Sequence, residues 1–143
     1  MKISTKGRYG LRALIDLKMN CDRENVTIKV ISERQEISER YLEQIFSSLR
    51  KAGIIIGRKG AQGGYVLNKE ASKLTILEIL HALEGDSLLI DINLEDKNEL
   101  ESFVNNNLWK GINDKINDYF ESITLQDLVN DYKESKGELL YYI

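Results

Sequence analysis

Residues 38–67, SERYLEQIFSSLRKAGIIIGRKGAQGGYVL, decide the fold. Ser38 is of the residue type that caps helices, and the residues after it predict a helix over about 39–52 that ends at Gly53. The β-branched run 54–56 predicts one strand, and residues 65–67 predict a second. Because the glycine-rich turn 59–64 joins them, the stretch predicts a helix followed by a β-hairpin.

Two more helices are predicted before this stretch. Four apolar residues with helical spacing place a first helix over about residues 5–20: Leu11, Leu14, Ile15 and Met19. Thr27 is placed to cap a short second helix. Two short helices followed by a hairpin make a winged helix-turn-helix, which is the predicted architecture of residues 1–84.

The rest of the chain, residues 85–143, is predicted to be helical as well. Thr75 and Glu78 have the spacing of a capping box for a fourth helix that continues through Leu83. An acidic loop over 85–96 follows, then a long helix over about 97–122, and Thr124 starts a last helix. The fold class predicted is therefore mainly α, with a winged helix-turn-helix and a long C-terminal dimerisation helix.

The long helix carries an apolar stripe that has no partner elsewhere in the predicted chain. Its members recur at helical spacing and are Leu108, Ile112, Ile116, Tyr119 and Phe120. A stripe of this length needs a second surface, and a twin subunit provides one. We therefore expect a homodimer.

The net charge of −3 conceals an asymmetry between the two halves. Residues 1–70 carry 14 Lys and Arg against 8 Asp and Glu, which gives +6, whereas residues 71–143 carry 6 against 15, which gives −9. A basic half points to a nucleic-acid partner. The alternative is that the charges only solvate the surface.

The helix over 39–52 divides into an apolar face and a polar face. The polar face carries Arg40, Glu43, Gln44 and Ser47, with Ser38 and Tyr41 at the helix start. Arginine, glutamine and glutamate suit guanine, adenine and cytosine edges, and the start of a recognition helix enters the major groove. The alternative is the ordinary polar side of a surface helix, which the neighbouring hairpin makes less favourable.

The hairpin tip combines two cations with three glycines that allow close approach to a partner. These residues are Arg58, Lys59, Gly60, Gly63 and Gly64. Such a wing suits DNA phosphates or a narrow minor groove. A nucleotide-binding loop is the alternative, but neither the GxxxxGK[ST] nor the GxGxxG order is present.

Other function classes are poorly supported by the residue inventory. One histidine and one cysteine, with no nucleophile and base brought together, argue against an enzyme, and against a metal or other cofactor. No apolar run approaches the roughly 20 residues of a membrane helix, and no secretory signal precedes residue 10, so we expect a cytoplasmic protein. Cys21 is a candidate oxidisable thiol, or an unremarkable side chain.

Several motifs together resemble the Rrf2 family of bacterial winged-helix regulators. They are residues 2–10 (KISTKGRYG), 41–44 (YLEQ), 49–53 (LRKAG) and 60–65 (GAQGGY), with likeness continuing to the 123–125 junction. The resemblance implies a homodimer on a palindromic DNA site, with Glu43 and Gln44 contacting bases and Arg40 joining them. Family members often have serine at position 40 and arginine at position 59, so the resemblance implies DNA binding but does not specify the target sequence.

The resemblance also places the chain within the family. Cluster-binding members have three cysteines in the loop after the fourth helix, whereas residues 85–107 have none, and a cluster needs several thiolates. The chain therefore resembles the cluster-free branch, which includes the cysteine-metabolism repressor. The tail Tyr141, Tyr142 and Ile143 is similar to that repressor's, which implies cysteine synthase as a partner. The alternative function is an interaction protein that binds this enzyme, with DNA binding secondary.

Overall fold

The computed structural model describes residues 2–85 and 89–137. Within these ranges the chain forms seven α-helices, one π-helical turn and one two-stranded antiparallel sheet. The elements are α1 (Thr5–Asn20), α2 (Ile28–Gln35), α3 (Glu39–Lys51), β1 (Ile55–Gly57), β2 (Tyr65–Leu67), α4 (Ile76–Glu84), α5 (Glu99–Val104), the π-helical turn (Asn105–Trp109), α6 (Lys110–Glu121) and α7 (Leu125–Ser135). None of these helices is long and apolar enough to span a bilayer.

The helix starts predicted from capping residues are confirmed. The side chains of Thr27, Ser38 and Thr75 each accept a hydrogen bond from a backbone N–H in the first turn of α2, α3 and α4. After α3, Gly53 takes a φ of +75°, the left-handed backbone that ends a helix. The predicted hairpin is also confirmed, with Ile56 paired to Val66 at its centre.

The long helix predicted over 97–122 is present as a continuous helical run over 99–121, although its π-helical turn between α5 and α6 was not predicted. One prediction about helices was wrong in detail. The capping box at α4 is only half formed, because the Glu78 carboxylate binds Lys69 Nζ at 2.8 Å. Thr75 alone caps that helix.

One apolar core joins the helices of both halves of the chain. Leu14, Leu49 and Ile79, from α1, α3 and α4, are fully buried, and α7 adds Leu125 and Val129 to the same cluster. Because Leu125 and Val129 are part of this core, α7 packs beside α1, although α5 and α6 separate α7 from the core helices in the sequence. The boundary between residues 84 and 85 stays a prediction.

Backbone hydrogen bonds fasten the start of α7 to the start of α4. Thr75 and Thr124 form a β-bridge, the N–H of Ile76 donates to Ile123 at 2.9 Å, and the N–H of Leu125 donates to Leu74 at 2.8 Å. The chain therefore returns, after α5 and α6, to the point where α4 began.

A buried ion pair fastens α2 to α1. The Asp16 carboxylate is 1% exposed and accepts from Arg34 Nη2 at 2.6 Å and Nε at 3.0 Å, and from Gln35 Nε2 at 2.9 Å. The hydrogen bond to Asp16 holds the pKa of Arg34 above its ordinary value. Because each Asp16 oxygen has a partner, burial of the charge is compensated, and the pair fixes the angle between the two helices.

Asparagine side chains hold the segment 89–98 against the long helical stretch, which consists of α5, the π-helical turn and α6, residues 99–121. Asn113 on α6 is buried and both accepts from and donates to the backbone of Ile90, at 2.8 and 2.9 Å. Asn105, also buried, donates from Nδ2 to the carbonyl of Asn93 at 2.8 Å. Amide groups thus replace a conventional apolar contact between the segment and the helix.

Candidate nucleic-acid interface

Helix α3 has the two faces that its sequence predicts. Its inward residues Leu42, Ile45, Phe46 and Leu49 are buried. Phe46 also meets the ring of Tyr65 edge to face at 4.9 Å between centroids, so the hairpin supports the helix from behind. The opposite side chains Arg40, Glu43 and Gln44 are exposed, with Ser47 half-buried beside them.

A cleft of about 480 Å³ runs along this exposed face. Its lining consists of Lys6, Arg40, Glu43, Gln44, Ser47 and Ser48. Lys6 belongs to the first turn of α1, and its Nζ donates to Ser48 Oγ at 2.7 Å. Sequence reasoning missed Lys6, because nothing in a pattern of local spacing shows which distant helix the first turn of α1 meets.

Two of the predicted interface residues have structural contacts at the start of α3. Ser38 Oγ accepts the Tyr41 N–H at 3.1 Å, which is its capping role. The Tyr41 ring is half-buried against Tyr9, with 5.8 Å between centroids. Arg12 lies over the other ring of this pair, 5.1 Å from the Tyr9 centroid. These contacts fix the N-terminal end of α3, which in a recognition helix is the end that enters the major groove.

The hairpin tip exposes glycine backbone and one cation, Lys59, that has no partner among the described residues. Gly60, Gly63 and Gly64 have φ of +126°, +66° and +96°, values that side chains other than glycine rarely adopt. Lys59 is exposed, and its side chain makes no hydrogen bond or ion pair with any residue that the structure describes. Lys59 is therefore available to an anionic partner.

Arg58, its neighbour, is already engaged. Its Nη2 donates to the carbonyl of Cys21 at 2.8 Å, and its Nη1 lies 3.4 Å from Asn25 Oδ1. Although both cations were predicted to be interface residues, only Lys59 is without protein partners in the described part of the chain.

The predicted dimer stripe is split between the chain's own core and its surface. Phe120 packs against the core, and Ile112 and Ile116 are half-buried. Leu108 and Tyr119 are 50% and 63% exposed. Two apolar residues that the stripe did not include, Leu100 and Phe103 on α5, are exposed still more, at 71% and 60%.

Two other candidate sites, the Cys21 thiol and the C-terminal tail, receive less support from the structure. Cys21 is buried. Its burial raises the pKa of the thiol, and the negative charge of the neighbouring Asp22 raises it further. A raised pKa leaves less of the reactive thiolate at neutral pH. Tyr141, Tyr142 and Ile143 lie outside the residues that the structure describes.

Comparison with known proteins gives a consistent family. Residues 3–131 match the family model described as Rrf2, iron-dependent transcriptional regulator. The chain is 38% identical to the HTH-type transcriptional regulator CymR of Bacillus subtilis over the full length of both. It is 35% identical to the regulator IscR of Escherichia coli, with 91% of this chain and 81% of that protein aligned.

Solved structures agree with the sequence comparison. T. potens IscR superposes with a TM-score of 0.76 at 38% identity, covering 94% of this chain and 90% of that one. CymR, the global cysteine regulator of B. subtilis, superposes with a TM-score of 0.77 at 36% identity, covering 91% and 97%. The winged-helix fold predicted from the sequence is confirmed by these neighbours.

The family model is described in terms of iron, and the side chains that the structure describes do not fit an iron site. The sequence has one cysteine and one histidine. Among residues 2–85 and 89–137, no three His, Cys, Asp or Glu side chains are grouped to hold a metal ion. The buried amides that face this segment, those of Asn105 and Asn113, are bonded to backbone.

Proposed function

This chain belongs to the Rrf2 family of transcriptional regulators, and we propose that it represses transcription as a cytoplasmic homodimer bound to a palindromic DNA site. It is a DNA-binding regulator, as its relatives are. The observation that carries the proposal is the exposed face of α3, where Arg40, Glu43 and Gln44 share one cleft with Lys6.

Base recognition is assigned to this face of α3. The Gln44 amide can make paired hydrogen bonds with adenine, the Glu43 carboxylate can accept from the cytosine amine, and Arg40 suits guanine or phosphate. Ser38, Tyr41 and Ser47 complete the part of α3 that faces the groove.

Backbone contacts are assigned to cations on either side of α3. Lys6 lies in the cleft itself, and Lys59 lies at the wing tip beside Gly60, Gly63 and Gly64. Cations in such positions bind DNA phosphates whatever the base sequence, and they set the register of the reading helix on the duplex.

The first experiment separates base reading from non-specific binding. Gln44→Ala should weaken binding to the specific duplex by about 1–3 kcal/mol and leave binding to a random duplex almost unchanged. Gln126→Ala, on α7, is the matched control and should change neither. Fluorescence anisotropy on both duplexes measures the ratio, and an unchanged ratio for Gln44→Ala would remove α3 as the reader.

The homodimer is proposed from the exposed apolar side chains of the long helical stretch. Leu100, Phe103, Leu108 and Tyr119 are each at least half exposed. Apolar exposure of this kind on a helix is typical of a surface that a second subunit covers. Two-fold pairing of such surfaces presents two recognition helices to DNA, which is the symmetry of a palindrome.

Light scattering tests the dimer. Phe103→Asp with Leu108→Asp should give a monomer, because two charges in an apolar interface lack partners. Tyr132→Asp is the control, since Tyr132 is a 45% exposed aromatic residue on α7 rather than on the long stretch. A stable dimer in the double variant is the result that refutes the interface.

Cysteine or sulfur metabolism is the proposed field of regulation. The support is the similarity to B. subtilis CymR along the whole length of both chains. Genomic footprinting of the bound sites tests it directly: bound sites beside genes of sulfur assimilation are expected, and bound sites that avoid such genes contradict it.

A second candidate function is the capture of cysteine synthase by the C-terminal tail, favoured by that same full-length similarity. In a tail peptide that ends at Ile143, backbone N–H groups of the enzyme can hold the terminal carboxylate while the isoleucine side chain fills an apolar pocket, and Tyr141 and Tyr142 add contact area. Calorimetric titration of a ten-residue tail peptide into cysteine synthase should show binding that disappears without Ile143. Equal heats with and without Ile143 would remove this function.

A further inference from the structure

We propose that Arg58 is a positioning residue, which fastens the wing to the α1–α2 loop and so places Lys59 for contact with DNA. The wing is the hairpin β1–β2 with its tip, residues 55–67, and the loop is residues 21–26. The inference rests on the proposed function in one respect, namely that the wing touches DNA. The attachment itself is a property of the free protein.

The Arg58 guanidinium binds the loop with two different donors. Nη2 donates to the carbonyl of Cys21 at 2.8 Å, and Nη1 reaches Asn25 Oδ1 at 3.4 Å. Cys21 is the C-cap of α1, where backbone carbonyls lack helical partners and carry the negative end of the helix dipole. A cation bound there gives the carbonyl a hydrogen-bond partner and is stabilised by the negative end of the helix dipole.

The rest of the wing is fastened to the same loop beyond the tip. Asn25 Nδ2 donates to Gln62 Oε1 at 2.6 Å, and the N–H of Tyr65 donates to the carbonyl of Val26 at 2.9 Å. A Cβ at Gly64 would lie only 3.3 Å from that carbonyl, so the approach needs glycine. The loop thus holds the wing at both ends of its tip, and Arg58 supplies the charged attachment.

Lys59 gives the contrast that makes the assignment specific. It adjoins Arg58 and has the same charge, yet its side chain has no protein partner among the described residues. To reach a phosphate, Arg58 would have to release the Cys21 carbonyl, whereas Lys59 has nothing to release. The planar guanidinium can bridge two acceptors at once, which a single ammonium does less well.

Salt dependence of DNA binding distinguishes the two roles. A cation that contacts phosphate releases counterions, so Lys59→Gln should lower the salt slope by about one per subunit on a random duplex of 30 base pairs. If Arg58 acts only by placing Lys59, the double variant Arg58→Gln with Lys59→Gln should have the same salt slope as Lys59→Gln alone. An Arg58 that contacts phosphate itself would lower the slope of the double variant by about one more per subunit. Fluorescence anisotropy across a salt series measures both.

Hydrogen exchange tests the attachment without DNA. The Tyr65 amide should exchange faster in Arg58→Gln, in Arg58→Lys and in Asn25→Ala, and at the wild-type rate in Lys59→Gln. Arg58→Lys keeps the charge, so its faster exchange would show that the fork geometry matters. Unchanged Tyr65 exchange in Arg58→Gln, or a double variant whose salt slope is lower than that of Lys59→Gln alone, overturns the proposal. If the wild-type protein binds neither duplex, the proposed function fails, and the exchange result still decides the role of Arg58.

Discussion

The part of the chain proposed to read DNA, residues 2–84, and the long helical stretch with the segment before it, residues 89–121, distribute polar and apolar side chains in opposite ways. In the reading part, Phe46 and Ile45 are buried and Arg40 and Gln44 face outward. In the stretch from 89 to 121, the buried residues are Asn105 and Asn113, whereas Leu100 and Phe103 are exposed. The first arrangement is that of a core complete in one chain, and the second is typical of a surface that a second subunit covers.

Two phenylalanines give the largest effect that could break this comparison. Phe46 is 2% exposed, so Phe46→Ala should lower the free energy of unfolding by about 3–5 kcal/mol through lost burial and a cavity. Phe103 is 60% exposed, so Phe103→Ala should change the stability of the monomer by no more than about 0.5 kcal/mol.

Urea denaturation at protein concentrations below dimer formation measures both variants. At high concentration Phe103→Ala should show a cost that it lacks at low concentration, because oligomer stability depends on concentration, whereas the cost of Phe46→Ala should stay about the same. Equal losses for the two variants at low concentration would mean that the stretch is part of the same folded core.

Asn113 tests the polar side of the comparison, with a smaller effect. Asn113→Ala leaves the N–H and carbonyl of Ile90 without their amide partner, which should cost about 1–3 kcal/mol of local stability. Hydrogen exchange at the Ile90 amide should accelerate, while amides of α3 stay protected. Asn106→Ala is the control, because Asn106 is exposed and bonds only to carbonyl and hydroxyl groups near the surface. Accelerated exchange throughout α3 would show that the two regions unfold together.

The sequence predicted the reading part better than the stretch, and the reason is physical. Helix starts at Thr27, Ser38 and Thr75 depend on contacts within one turn, which local spacing records. The π-helical turn and the role of Asn113 depend on which distant backbone the helix meets, and apolar periodicity carries no information about that. The engagement of Arg58 was hidden for the same reason, since Cys21 lies 37 positions away.

A surface ion pair gives the smallest expected effect within the reading part. The hydrogen bond from Lys69 lowers the pKa of Glu78 from its ordinary 4.5. The pair therefore stabilises the fold above about pH 4.5, and this contribution is lost as the pH falls through the lowered value. Both side chains are more than 40% exposed, so the contribution should be below about 1 kcal/mol.

Urea midpoints at pH 7 and at pH 3 measure this contribution. Glu78→Gln should reduce the difference between the two midpoints slightly, and Glu121→Gln, an exposed glutamate on α6, should not. A loss of several kcal/mol in Glu78→Gln would show that the reading part depends on surface charge more than on its core.

The bridge between Thr75 and Thr124 makes residues 85–123 a detour in the path of the chain. The chain departs from the end of α4 and returns beside the start of α4, a separation of about 13 Å for nine helical residues, and Phe120 packs against the core on the way. Because both ends of the detour are fixed to one core, we expect evolution to lengthen, shorten or replace it while Lys6, Gln44 and Lys59 keep their positions. A family with this architecture can keep its winged helix unchanged and vary the inserted segment.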